Sequence, residues 1–239
     1  MRKAIVSGAN GFVGSAVVKE LISQGYEVYA LARENHYDQI PIGEMVRIVP
    51  FSLENIEALG EVIPINEYEA FYHFAWNGSA GVDRADTALQ LKNAQWTVEC
   101  LQLAKRLGCK RFVPAGSIME HETIAAVYTQ GNRPGAGYIY GSGKVAAHMM
   151  CMSMAVKEGI DLVWPKITNA YGPGERSPRL VNSTIRKCIA GEDPQFTAGT
   201  QNYDFVYIDD VARAFRLIGE KGKPFHHYLI GSGKAKALK

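Results

Sequence analysis

The sequence predicts a doubly wound α/β fold, a mostly parallel sheet with helices on both faces. Two patterns predict it. Short apolar runs with strand character alternate with longer amphipathic stretches through the first two thirds of the chain. A glycine-rich turn also joins the first apolar run directly to the first helical stretch. Parallel neighbours need crossover connections, and those crossovers are right-handed.

In chain order, Ala4–Val6 is a short buried strand, followed by a helix over about 14–24. Glu27–Leu31 is the second strand, Met45–Phe51 the third and Ala70–Ala75 the fourth. A long amphipathic helix covers about 86–107 and stops at Gly108, because glycine takes the left-handed cap without steric cost. Arg111–Ala115 is the fifth strand, Tyr140–Glu158 a helix closed by Gly159, and Leu162–Lys166 the sixth strand. Beyond Tyr171 the texture changes to Pro, Gly and Arg with shorter elements. Residues 1–170 are therefore expected to form the main domain, and 171–239 a small lobe interleaved with the sheet.

Composition narrows the function classes. A net charge of +2 and a pI near 8.3, with no Lys/Arg run exceeding three, argue against a nucleic-acid partner. No apolar run is long enough to span a bilayer, so no membrane association is expected. Ala4-Ile5-Val6 is too short for the core of an export signal, and the expected location is cytoplasmic. Cys100, Cys109, Cys151 and Cys188 lack CxxC spacing and read as reduced thiols.

The turn after the first strand is Gly8-Ala9-Asn10-Gly11-Phe12-Val13-Gly14. One glycine permits the tight turn, one lets the backbone approach a pyrophosphate, and one lets helix pack on strand. The helix N-terminus behind it offers free N–H groups and a positive dipole end to the anion. Further on, the second strand ends in Tyr29-Ala30-Leu31-Ala32-Arg33. An NAD enzyme would place a carboxylate there for the adenosine ribose. No acid is available, and Arg33 could pair with a 2′-phosphate through its fork geometry. NADP is therefore the expected cofactor, with NAD as the alternative, and a solvated arginine is the bland reading.

Tyr140-Gly141-Ser142-Gly143-Lys144 opens a helix, and a spacing of four puts Tyr140 and Lys144 on one face. An ammonium beside a phenol lowers the phenol's pKa, which suits a proton shuttle. Ser117 ends the fifth-strand segment and can reach the same pocket, beyond the carboxyl ends of the strands.

The glycine loop together with Ser117, Tyr140 and Lys144 resembles the extended short-chain dehydrogenase/reductases, the nucleotide-sugar epimerase/dehydratase family with a Rossmann fold. Further segments resemble it. Tyr72-His73-Phe74-Ala75 is similar to its "VxHLAA" strand, with Trp76 following. Asn93-Ala94-Gln95-Trp96-Thr97 is similar to its "NVxGT" helix. Asn169–Gly174 is similar to "NxYGPG", Gln201–Val211 to "QxRDFVYVDDVA", and Tyr228–Gly233 to "YNIGSG". In the family further helices of the substrate lobe follow that last strand, whereas only Lys234–Lys239 follow here.

The resemblance implies a dinucleotide-binding domain over 1–170 and a substrate-binding lobe over 171–239. It implies that Ser117 steadies the reacting oxygen, Tyr140 gives or takes the proton, and Lys144 holds the nicotinamide ribose. Along the cofactor it implies Gly8, Asn10, Gly11, Phe12, Val13 and Gly14. It adds Ser52 and Leu53, in place of an acidic "Asp-Leu", and Phe74, Ala75, Trp76, Asn93 and Pro165. Toward a nucleotide-linked sugar it implies Trp76, Ser117, Asn169, Arg179 and Tyr203, with Tyr203 standing where an arginine commonly meets the nucleotide phosphate. Trp96 reads as core packing. A homodimer through the two long helices is also implied.

Extra acids and bases set the reaction within the family. Ile118-Met119 follow Ser117, where 4,6-dehydratases carry Asp-Glu, decarboxylating relatives a glutamate, and 3,5-epimerase-reductases a cysteine. A 4-ketoreductase and a 4-epimerase remain, and Arg33 favours the reductase. A catalytically silent dinucleotide-binding sensor is the reading from another class. Glu120-His121-Glu122 has no metal spacing and is expected to be a solvated loop.

Overall fold

The computed structural model describes residues 1–238. Its strands are β1 (Arg2–Ser7), β2 (Tyr26–Ala32), β3 (Val46–Pro50), β4 (Ala70–His73), β5 (Arg111–Pro114), β6 (Gly116–Ser117), β7 (Asp161–Leu162), β8 (Trp164–Ile167), β9 (Asn169–Tyr171), β10 (Asn202–Tyr203), β11 (Phe205–Tyr207), β12 (His227–Ile230) and β13 (Lys236–Ala237). The helices are α1 (Phe12–Ser23), α2 (Leu59–Val62), α3 (Thr87–Arg106), α4 (Met119–Tyr128), α5 (Ile139–Glu158), α6 (Leu180–Ile189) and α7 (Ile208–Lys221).

The central sheet runs β3-β2-β1-β4-β5-β7 and every pair in it is parallel. The expected sixth strand is split at Val163: β7 continues as β8, which pairs with β6 on one side and β12 on the other. The chain's last quarter thus adds an edge to the sheet. Strand order reverses between β1 and β4, which opens a crevice beyond their carboxyl ends.

Alternation along the strands divides the core into two layers. Ala4 and Val6 face α1 and α7, together with Val17, Leu21, Tyr72 and Phe215. Ile5 faces the other way, with Phe71, Phe112, Trp96, Leu101 and Cys151, under α3 and α5. Trp96 is buried at 5% exposure, the packing role expected of it. Cys100, Cys109 and Cys151 are buried free thiols and Cys188 is exposed. The long helices are well ended: the Asp86 side chain accepts from Leu89 N at 3.0 Å, and Gly159 closes α5 at φ 64°.

Glu120-His121-Glu122, expected in a solvated loop, lies instead in the helix formed by residues 119–128. That helix is α4, and the side chain of Glu120 is 1% exposed. Nothing in the local pattern points to this, because the partners that draw Glu120 inward come from β8 and α5. Two small sheets, β9 with β11 and β10 with β13, stand beyond the main sheet on the side of the crevice. No described helix is long and apolar enough to cross a membrane.

Candidate active site

The crevice begins at the turn between β1 and α1. Gly8 has φ +67°, and a Cβ there would lie 2.7 Å from Ala75 N. A Cβ on Gly14 would lie 2.1 Å from Gly8 O. These contacts bring the backbone loop tight against β4 and α1, which a larger residue would prevent. Gly11 is the N-cap and has no side chain to cap the first turn, so N–H groups of Phe12, Val13 and Gly14 face the crevice. Asn10 lines the crevice, and its side chain donates to Asp38 Oδ1 at 3.0 Å and accepts from Gln39 N at 2.7 Å.

His73 supports the loop from below. Its Nδ1 is 2.8 Å from Ser7 Oγ and its Nε2 is 3.4 Å from Thr97 Oγ1. Burial, helped by the nearby Lys144 charge, lowers its pKa to about 3. The unfolded chain therefore takes up a proton near pH 6.5 that the fold refuses until about pH 3. Stability should fall as pH falls through this window, by about 1.4 kcal/mol per pH unit. Urea unfolding at pH 7 and pH 5 checks this, with an expected drop about 2 kcal/mol larger in the wild type than in His73→Asn.

At the far end of the crevice Arg33 projects from the end of β2, exposed, beside His36, Ser52 and Leu53. Here the sequence reading needs a second correction. An acid does reach this end: Glu54 lines it, bonded through its carboxylate to the Ser52 hydroxyl. That bond holds the Glu54 carboxyl below its ordinary pKa, and the Arg33 charge adds to the effect. Glu54 comes from the turn after β3, so its nearness to Arg33 depends on β3 pairing beside β2.

Ser117, Tyr140 and Lys144 converge on the crevice, and Ser117 and Tyr140 also line a second cleft. The start of α5 lies tight on α4, and a Cβ at Gly141 would sit 1.9 Å from Thr123 Oγ1. The Lys144 ammonium donates to Ala115 O at 2.9 Å and lies 3.5 Å above the Trp76 ring. Burial lowers its pKa to about 7. For Tyr140, burial raises the pKa, and the charges of Arg84 and Arg179 and the Ser117 hydroxyl oppose the rise. Two cations stand by the phenol: Lys144 is 5.9 Å from the Tyr140 ring and Arg84 lies over that ring at 4.2 Å.

The first cleft has a volume of about 630 Å³ and the second about 850 Å³. Arg179, Ser117, Tyr140 and Thr168 line both. Asn169 and Tyr203 line only the second, where Tyr203 stacks on Phe205 at 5.6 Å. Ile118, Met119 and Glu122 also reach it, so the exposed Glu122 brings a carboxylate to this wall. The Thr168 hydroxyl is buried at the junction without a hydrogen-bond partner.

The sequence profile of the NAD dependent epimerase/dehydratase family matches residues 4–231. The chain belongs to this family. Among similar proteins is a CDP-abequose synthase of Salmonella muenchen, 27% identical, with all of this chain matched to 78% of the relative. A dTDP-glucose 4,6-dehydratase of Escherichia coli is 24% identical, over 96% of this chain and 71% of the relative. A UDP-glucuronic acid decarboxylase 1 of Xenopus tropicalis is 26% identical, over 88% of this chain and 52% of the relative, so the chain spans about half of that protein. In fold it is similar to a UDP-N-acetylglucosamine 4-epimerase of Methanobrevibacter ruminantium, with TM-score 0.84, 20% identity, and 99% and 78% of the two chains covered. A UDP-glucose 4-epimerase of Thermotoga maritima gives TM-score 0.82, 23% identity, and 99% and 79% coverage.

Two residues that the family pattern implies for the cofactor lie elsewhere in this member. Asn93 is buried and bonds both backbone atoms of Asn77, accepting from N at 2.9 Å and donating to O at 2.8 Å. Pro165 is buried in β8 outside the crevice wall, which Ile167 and Thr168 form instead. Phe74, Ala75, Trp76, Ser52 and Leu53 do line the crevice.

Glu120 is a member of the site that motif reading missed. Its Oε1 accepts from Ser117 N at 2.9 Å and from Trp164 Nε1 at 3.0 Å. Its Oε2 lies 3.0 Å from His148 Nδ1 and 3.3 Å from Lys166 Nζ. Burial pushes its carboxyl up, but His148, Trp164, Ser117 and Lys166 outweigh burial and hold it below the ordinary value. The turn carrying Ser117 is thus fixed from below by an ionised carboxylate.

Proposed function

We propose that the chain is a nucleotide-sugar 4-ketoreductase that uses NADPH. The observation that carries this reading is the junction itself. Tyr140 and Ser117 stand where the glycine-loop crevice opens into the second cleft, with apolar Ile118 and Met119 beside them.

The residues present fit a dinucleotide. The open first turn of α1 suits a pyrophosphate, and the unpartnered Thr168 hydroxyl offers a hydrogen bond to a group held at the junction. When bound, the nicotinamide supplies the hydride. Tyr140, kept neutral by burial, has a proton to give at pH 7, as reduction requires. Ser117 steadies the oxygen being reduced. Arg179, Asn169 and Tyr203 hold the sugar-nucleotide, and the segment from Tyr171 to Tyr207 supplies much of the substrate side. The curated relatives and solved neighbours named above support the substrate class. A cytoplasmic homodimer through α3 and α5 belongs to the same reading, with Met149, Met150 and Val156 exposed along α5.

A 4-epimerase that retains NAD is the second reading, favoured by Glu54. A carboxylate beside the adenosine end suits a free ribose hydroxyl and repels a 2′-phosphate. Fluorescence titration with NADPH and NADH separates the two. The reductase reading expects preferred, exchangeable NADPH, and expects Arg33→Ala to weaken NADPH by about tenfold while sparing NADH. Copurifying NAD with little response to NADPH makes the epimerase the better reading.

A further inference from the structure

We propose that Asp38 and Arg176 close a clasp at the rim of the dinucleotide crevice, and that this ion pair sets how fast the cofactor enters and leaves. The proposal rests on the reading of the first cleft as the dinucleotide site, and it holds for either cofactor and either reaction.

Two stretches far apart in the chain meet beside the glycine loop. One is the loop between β2 and β3, which carries Asp38 and Gln39. The other is the segment between β9 and α6, which carries Gly174 and Arg176. The Asp38 carboxylate joins three parts: one oxygen accepts from Asn10 Nδ2 at 3.0 Å, and the other accepts from the Arg176 guanidinium. Gln39 N donates to Asn10 Oδ1 at 2.7 Å, and Gln39 Nε2 donates to Asn10 O at 3.2 Å. Gly174, at φ +90°, lets the two stretches touch, since a Cβ there would lie 2.8 Å from Gln39 Oε1.

The arm that bears Arg176 is itself held in shape. The Glu175 carboxylate accepts from Ser177 N at 2.8 Å and from Ser177 Oγ at 2.7 Å, and Asn182 donates to Ser177 O at 2.7 Å. Asn10, Gln39, Gly174 and Arg176 all line the first cleft, and Gly174 lines the second as well. A dinucleotide extended from Arg33 past the glycine loop to Tyr140 therefore runs alongside this contact.

The pair suits a gate better than a stabilising role. The Arg176 and Asp38 side chains are 60% and 58% exposed, so parting them costs the fold little. Arg176 has no other ion-pair partner among the described residues. Its bond, ahead of the one from Asn10, holds the Asp38 carboxyl down at about 2, so the clasp is charged at any working pH. A gate that must part in both directions slows entry and exit by the same factor. Loosening it speeds both and leaves affinity nearly unchanged.

Stopped-flow nicotinamide fluorescence on the full chain tests this. NADPH or NADH is mixed with the protein to follow entry, and each is chased with an excess of its oxidised form to follow exit. Where NAD copurifies, its release is followed against excess NADH. Asp38→Asn keeps an oxygen for Asn10 while removing the charge, and Arg176→Met removes the opposite charge. Each should raise both rate constants by about three- to fivefold, equally for NADPH and NADH. The double variant should be no faster than the faster single one. Exit that slows in Asp38→Asn and quickens in Arg176→Met overturns the proposal, because Arg176 would then be a direct contact to the cofactor phosphates for which Asp38 competes. Unchanged rates, a rise in exit alone, or additive effects in the double variant overturn it too. A wild-type protein that binds no dinucleotide removes the reading of the cleft itself, and the clasp with it.

Discussion

Tyr140→Phe is expected to cut turnover of a 4-keto nucleotide-sugar by about 10²–10⁴-fold, with NADPH affinity nearly unchanged. The change removes one oxygen from a ring that borders the clefts, so the fold loses little. In the proposed reaction the phenol, held neutral by burial at the junction of the two clefts, is the donor. Lys144 faces Ala115 O and the Trp76 ring, and Arg84 does not release protons near neutral pH. Initial rates and a cofactor titration on the same preparation check the split between turnover and binding. Retained turnover would remove Tyr140 from the chemistry, whereas NADPH binding without turnover in either protein would favour the silent-sensor reading.

Glu120→Ala is expected to destabilise the fold by about 3–5 kcal/mol, because it leaves Lys166 as a buried charge without its partner. It also strips acceptors from Ser117 N and Trp164 Nε1. For a chain of this size that corresponds to a fall in Tm of roughly 6–20 °C. Glu120→Gln should cost less, since an amide oxygen still accepts from Ser117 and Trp164. Guanidinium unfolding of the three proteins measures the difference. A loss within about 0.5 kcal/mol, typical of surface sites, would return Glu120 to the solvated loop that its local sequence suggests.

What the sequence alone determined follows from short-range physics. Strand and helix periodicity, the glycine turn and the helix-ending Gly108 and Gly159 act within a few residues, so the parallel architecture and the crevice were legible. Ser117, Tyr140 and Lys144 were legible as a set because Tyr140 and Lys144 share a helix face and Ser117 sits at a strand end.

Tertiary structure decided what depends on partners far along the chain. Glu54 meets Arg33 because β3 pairs beside β2, and Glu120 turns inward because His148, Trp164 and Lys166 wait for it. Asn93 serves the Asn77 turn, and Arg84 comes to rest on Tyr140 through a loop held by Gln90. A buried polar side chain goes where its hydrogen bonds can be satisfied, and those acceptors and donors exist only once the chain has folded.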